Sequence, residues 1–122
     1  MLMTPQKVQQ KLFEARDVIH LIHLNTTSYA EHKALNSFYD GWLDQVDKFI
    51  ETYQGKYGRI GGYYTIEANA GTNSRTYLIE LMAYLNDDIL NIIEPTNDSD
   101  LDNIIADMKQ LINQTLFLLT LK

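Results

Sequence analysis

Apolar residues recur at steps of three and four in four separate segments of this chain, which is the period of a helix that buries one face. The first segment has this repeat at Val8, Leu12, Ala15, Ile19 and Ile22. Both prolines lie at segment ends, since Pro5 follows the capping residue Thr4 and Pro95 follows the third segment. The pattern predicts an all-α fold in one domain, residues 1–122. We place its helices at about 5–24, 28–56, 73–94 and 98–121.

Glycine marks one long connection in this pattern. Five of the six glycines lie between residues 55 and 72, whereas the other two connections are short polar turns. Links within helical hairpins are usually much shorter than this segment. We therefore predict a four-helix bundle with one long crossover between the second and third helices, which is the ferritin-like pattern of connections.

Two features of the helices indicate close neighbours. Gly41 lies inside the second helix, where glycine is unfavourable by up to about 1 kcal/mol relative to alanine. A close approach of another helix is one explanation, and a kink is another. The last helix is apolar on more than one face, through Phe117, Leu118 and Leu121. Such an extra apolar face predicts a partner subunit.

Composition and charge exclude several classes of protein. The net charge of −6 is opposite to the basic footprint of a nucleic-acid binder, so nucleic acid is an unlikely partner. Cysteine is absent, which excludes disulfides and thiolate metal sites. The longest apolar stretch, residues 116–121, is too short to span a membrane. The polar N-terminal segment lacks the apolar core of a signal peptide, so we predict a cytoplasmic protein with no membrane partner.

The three histidines lie close together in the sequence. His20 and His23 share a face of the first helix, and His32 follows the turn on an antiparallel neighbour. The hairpin can therefore bring His23 and His32 together. Imidazole is the commonest metal-binding side chain, but histidines that simply form hydrogen bonds at a surface or an interface explain the same pattern.

Two carboxylates on the second helix form a second candidate set. Asp47 and Glu51 are one turn apart and repel each other unless a cation, a proton or a positive side chain such as Lys48 lies between them. His32 is roughly 22 Å from Asp47 along the helix, so one chain cannot place both on one ion. A two-fold dimer with antiparallel second helices would bring His32 of one copy to Asp47 and Glu51 of the other.

The stretch from His32 to Glu51 resembles the ferroxidase motif of the Dps mini-ferritins. That motif has a histidine, an aspartate four residues later, an aspartate fifteen later and a glutamate nineteen later. The resemblance implies a ferritin-like homo-oligomer, at least a dimer, that binds iron or another divalent metal between subunits and has ferroxidase activity. The implied ligands are His23, His32, Asp47 and Glu51, with weaker contributions from His20 and Asn36.

The chain departs from that motif in ways that leave an alternative open. Asn36 replaces the first aspartate with a neutral ligand, and the turn after His23 is shorter than in the family. The alternative is a non-catalytic helical-bundle oligomer or interaction protein, for example a virus-encoded one, that retains a vestigial metal site.

Overall fold

Four α-helices and one short 3-10 helix make up the regular structure of the computed structural model, which describes residues 3–62, 65–69 and 71–122. They are α1 (Pro5–Asn25), α2 (Tyr29–Tyr57), α3 (Ser74–Asn86), the 3-10 helix (Asp88–Ile92) and α4 (Ser99–Leu118). No strand occurs among the described residues, so the predicted all-α class and the four helices are confirmed.

Polar side chains begin the first three helices. Thr4, Ser28 and Asn73 each accept a hydrogen bond from the backbone N–H three residues later, over 3.2, 3.2 and 2.7 Å. These bonds satisfy N–H groups that have no partner inside the helix. Pro5 occupies the first turn of α1, as the sequence predicts.

The core lies between α2 and its neighbours. α2 packs against α1 on one side and α4 on the other, while α3 packs against α4 and more lightly against α1. Trp42 is fully buried at the centre, and its indole N–H donates to the backbone carbonyl of Leu12 over 2.9 Å. This bond satisfies the one polar atom of the side chain, so the large ring is buried without a desolvation penalty at its N–H.

Gly41 lies where α2 meets α4. A Cβ built at this position would be 3.1 Å from Cδ2 and 3.3 Å from Cδ1 of Leu111. The close approach of another helix, one of the two explanations offered by the sequence, therefore accounts for this glycine.

The connection between α2 and α3 runs beside α1. The side-chain amide of Gln6 donates to the carbonyl of Ile60 over 3.0 Å, and that of Gln10 donates to the carbonyl of Thr65 over 2.8 Å. At the start of α3, the Ser74 hydroxyl donates to the Glu31 carboxylate over 2.6 Å. Since Glu31 belongs to the first turn of α2, both helices begin at the same end of the bundle.

The third helix is shorter than predicted. The sequence predicts one helix over 73–94, but α3 ends at Asn86 and a 3-10 helix covers Asp88–Ile92. Asn86, Asp87 and Asp88 are consecutive residues whose side chains compete for backbone hydrogen bonds and disfavour a helix interior. Ile89 and Ile93 remain buried, so the apolar period continues although the α-helix does not.

None of the helices within the described residues combines the length and apolar character needed to cross a membrane.

Candidate functional site

His23 and His32 bind each other across the turn between α1 and α2. Nδ1 of His23 lies 2.6 Å from the backbone carbonyl of His32, and Nδ1 of His32 lies 2.9 Å from that of His23. The rings stack with centroids 3.7 Å apart and an interplanar angle of 19°. A carbonyl only accepts hydrogen bonds, so both Nδ1 atoms carry hydrogen and donate. We call this pair the histidine clasp, and the prediction that the hairpin brings its members together agrees with the structure.

His20 and Asn36 lie beside the clasp. The ring of His20 stacks on Tyr39 at 4.3 Å and lies 6.0 Å from the ring of His23. The side-chain oxygen of Asn36 accepts a hydrogen bond from the Tyr39 hydroxyl over 3.0 Å. The three histidines and Asn36 therefore form one cluster on the hairpin of α1 and α2, with Tyr39 between them.

Asp47 and Glu51 are exposed on the second half of α2. Within residues 3–62, 65–69 and 71–122, no group of three or more histidine and carboxylate side chains is arranged to hold a metal ion. A single chain was not expected to assemble the site. The metal site between subunits, with His23, His32, Asp47 and Glu51 as its ligands, therefore stays a prediction.

The outer side of α4 carries a narrow stripe of uncharged residues, with exposed Asp102 along one edge and exposed Asp107 along the other. Five exposed residues recur at steps of three and four along it: Asn103, Ala106, Gln110, Asn113 and Phe117. We call these five the uncharged face. The exposed side of α2 is different in character, since it carries Lys33, Asp40, Asp44, Asp47, Lys48 and Glu51. Depletion of charged residues distinguishes the centre of an interface from the rest of a protein surface.

A groove that none of these five residues lines opens on the side of α4 that meets α2. It has a volume of about 260 Å³ and lies between α2 and the end of α4. Its lining consists of Ala30, Lys33, Ala34, Ser37, Leu118 and Leu121, and we call it the α2–α4 groove. Small residues on the α2 side leave this space open beside Leu118, which directly follows Phe117 in the chain.

Asp98 joins the end of α2 to the turn before α4. Its carboxylate is fully buried and accepts hydrogen bonds from the Glu94 backbone N–H at 2.8 Å and the Tyr57 hydroxyl at 2.6 Å. Lys56 Nζ lies 2.7 Å from the same carboxylate and 2.8 Å from Asp100. The Glu94 N–H, then Lys56 and Tyr57, stabilise the carboxylate and lower the pKa of Asp98 to about 2.

The role of Asp98 could not be found from the sequence. The sequence predicts Asp98 or Ser99 as the cap of the last helix, and Asp98 does hold the N-cap position. Its side chain makes no capping hydrogen bond, because it is directed to the end of α2 instead. Local sequence gives no sign of a partner that lies more than forty residues away.

Comparison with known proteins gives a family and one distant relative. The model of a family of unknown function (DUF5856) matches residues 23–119. An uncharacterized 14.6 kDa protein in the mobD-ri intergenic region of Enterobacteria phage T4 is 28% identical over 111 residues. The aligned part covers 91% of this chain and 84% of the phage protein. No solved structure gives a significant match.

The predicted membership of the ferritin-like, Dps-like superfamily is therefore wrong. The matching family model spans the whole stretch from His32 to Glu51 that carried the resemblance, and it describes a different family. Spacings of four, fifteen and nineteen residues all return to nearly the same side of a helix. A long surface helix has polar residues on that side for reasons of solvation alone, so the spacing arises without common descent.

Proposed function

We propose that this chain, which belongs to the family of unknown function DUF5856, is a helical interaction protein whose copies associate through the uncharged face of α4. The observation that carries the proposal is a stripe of five exposed uncharged residues, bordered by Asp102 and Asp107, in a protein whose net charge is −6. Two copies of an acidic protein repel each other, and an uncharged stripe keeps that repulsion out of the centre of the contact, with Asp102 and Asp107 at its rim.

The chemistry of the uncharged face also suits a second copy. Gln110, Asn113 and Asn103 carry side-chain amides, each of which both donates and accepts hydrogen bonds. A surface of amides is therefore complementary to itself, as an interface between identical subunits with two-fold symmetry requires. Phe117 adds apolar area at one end, since 63% of its surface is exposed.

Sedimentation equilibrium of the wild type tests the proposal. Protein concentrations from about 1 to about 100 µM cover dissociation constants of moderate affinity. We expect a dimer or a larger assembly. The double variant Gln110→Glu/Asn113→Glu places like charges across the contact and should be a monomer with an unchanged circular dichroism spectrum. Thr76→Glu/Ala83→Glu on the exposed side of α3 adds the same charge elsewhere and should still associate. A monomeric wild type, or association that survives in the α4 variant, contradicts the proposal.

The histidine clasp favours a second candidate function, the binding of iron or another divalent metal between subunits. Because both Nδ1 atoms are bound to carbonyls, the Nε2 atoms are left for a ligand, which is how metal-binding histidines are usually oriented. A metal binds imidazole along the ring plane, so two stacked rings do not share one ion easily. Carboxylates of a second copy, Asp47 and Glu51, would then complete each site.

Isothermal titration with Zn²⁺ and, without oxygen, with Fe²⁺ tests the second candidate. Binding at micromolar concentration should be lost in Asp47→Ala/Glu51→Ala and in His32→Ala. The variant Asp40→Ala/Asp44→Ala removes the same charge from α2 and should still bind the metal. Equal binding by all of these proteins, or none by the wild type, refutes this candidate.

A further inference from the structure

We propose that a groove between the middle of α2 and the middle of α4 binds an arginine side chain of a partner protein. The groove has a volume of about 280 Å³ and is lined by Gly41, Gln45, Asp107, Gln110, Leu111 and Gln114. We call it the amide groove, because half of its lining residues are glutamines. It shares no lining residue with the α2–α4 groove, and binding there does not require the association of copies proposed above.

Gln45 provides a buried acceptor in the amide groove. Its side-chain Oε1 is buried, and no donor pairs with this atom among the residues that the structure describes. Almost all buried polar atoms of folded proteins have a hydrogen-bond partner, because an unpaired one is costly. A ligand that donates a hydrogen bond to this oxygen therefore gains more than a ligand that meets a group already paired.

Asp107 gives the amide groove its charge. Of the six lining residues, all in the described part of the chain, only Asp107 is charged. Its exposed carboxylate takes part in none of the ion pairs between described residues. Exposed Asp44, which precedes Gln45, adds negative charge beside the groove, whereas Lys48, the next cation along α2, does not belong to the lining. The groove therefore favours a ligand that is positively charged and rich in donors.

Guanidinium is the cation that suits these acceptors best. It offers five N–H donors in one plane, and two of them can bind one carboxylate in parallel. Asp107 can accept that pair of hydrogen bonds, while the side-chain oxygens of Gln45 and Gln114 accept others. A lysine ammonium offers fewer donors from a single point and is more strongly hydrated, so it loses more on leaving water.

The space in the amide groove admits a flat group. Its volume of about 280 Å³ exceeds the roughly 150 Å³ of a protein cavity that holds benzene, which is larger than guanidinium. Gly41 has no side chain, so the α2 wall is low at that point. Leu111 lies against Gly41 and supplies an apolar surface on which the plane of the group can rest.

A protein side chain is a better occupant than a free small molecule. Asp107, Gln110 and Gln114 are all exposed, so the groove opens on the outer surface of the bundle. Sites for small molecules usually enclose most of the ligand, and this groove does not. An arginine carried by a partner protein is covered on its open side by that partner. The net charge of −6 also attracts a basic partner from a distance.

NMR titration with Nα-acetyl-L-arginine amide tests the assignment. In the ¹⁵N-labelled wild type, the probe should shift the backbone amide signals of residues 41, 45, 107, 110 and 114 with a dissociation constant on the order of 1 mM. Nα-acetyl-L-citrulline amide has nearly the same shape without the charge and should bind at least about tenfold more weakly. Since Gln110 also belongs to the uncharged face, titration at two protein concentrations separates probe binding from association.

A pair of matched variants locates the charge that holds the probe. Asp107→Asn keeps the shape of the side chain and should raise the dissociation constant about tenfold, because the hydrogen bonds to guanidinium lose their charge. Asp102→Asn removes an exposed carboxylate from another side of α4 and should leave the dissociation constant unchanged. Both variants should keep the circular dichroism spectrum of the wild type.

Three results would overturn the inference. The first is equal binding of the arginine and citrulline probes. The second is equal binding of the arginine probe by the Asp107→Asn and Asp102→Asn proteins, or shifts confined to other parts of the chain. The third is micromolar binding of methylguanidinium, which would make a small guanidino compound the occupant instead of a protein side chain. Sedimentation equilibrium does not bear on any of these results, so this assignment and the proposed association fail separately.

Discussion

Alanine at position 41 should change the stability of the protein in a direction that depends on the residue at position 111. Within a helix, alanine is more favourable than glycine by about 1 kcal/mol. Against this gain, the new Cβ would lie 3.1 and 3.3 Å from the two terminal methyl groups of Leu111. Overpacking of this kind costs about 1–3 kcal/mol. Relief of both contacts requires the Leu111 side chain to shift by a few tenths of an ångström.

We therefore expect Gly41→Ala to lower the free energy of unfolding by about 1 kcal/mol, the difference between a cost of about 2 and a gain of about 1. In the Leu111→Ala background the methyl groups are gone, and the same substitution should raise the free energy of unfolding by about 1 kcal/mol. The coupling energy of the double-mutant cycle is then about 2 kcal/mol. Urea unfolding followed by the fluorescence of Trp42, the single tryptophan, measures all four proteins.

Gly55→Ala is the matched control for this cycle. Gly55 also lies in α2, but nothing lies within 4 Å of a Cβ built there. It should stabilise the protein in both backgrounds, by up to about 1 kcal/mol. Measurements at two protein concentrations separate folding from association. The reasoning is refuted if Gly41→Ala has the same effect with leucine and with alanine at position 111.

Three further predictions concern buried polar groups. The pKa of Asp98 is lowered to about 2 in the folded protein, against about 3.9 in the unfolded chain. The ionised carboxylate therefore stabilises the fold above about pH 4. This contribution is lost as the pH falls from about 4 to about 2. Asp98→Asn should therefore be less stable at pH 7 and should show a smaller loss of stability over that acid range in urea unfolding, whereas an unchanged profile would exclude this role. Trp42→Phe loses the bond to the Leu12 carbonyl and part of the ring volume, so its free energy of unfolding should fall by about 2 kcal/mol or more in thermal and urea unfolding. His23→Phe keeps a ring stacked on His32 and the bond from His32 Nδ1 to the carbonyl of residue 23, but it removes the Nδ1–H donor of His23. Urea unfolding should show a loss of about 1 kcal/mol, and no change would show that this donor does not stabilise the clasp.

The helices could be predicted from the sequence because their signals are local. Thr4 and Pro5 mark the start of α1, and the apolar period gives its buried face with a boundary error of about one residue. The end of α3 was missed because the period continues through Ile89 after the backbone has changed to a 3-10 helix. Periodicity reports which side chains are buried, and two kinds of helix can bury the same ones.

The candidate sites were harder to predict because their partners are distant in the chain. The approach of His23 to His32 follows from a short turn, so the sequence was sufficient for it. The partners of Asp98 come from the end of α2, and no local rule links them. The spacing from His32 to Glu51 indicated the wrong family because residues at these spacings lie on nearly the same side of any α-helix. The extra apolar face at Phe117 was visible in the sequence, but the α2–α4 groove could be found only from the packing of both helices.

The way in which α1 holds the crossover has a consequence for sequence change in this part of the chain. Gln6 and Gln10 bind the carbonyls of Ile60 and Thr65, and every residue type offers the same carbonyl. Recognition through the main chain does not depend on the side chains at those two positions. Homologous proteins can therefore differ freely at position 65, where the side chain is exposed, and still keep the crossover attached. The two glutamines of α1 share this role with Gln54 of α2, which accepts a hydrogen bond from the Ile60 N–H over 3.0 Å, and all three should tolerate replacement less well than exposed Thr65.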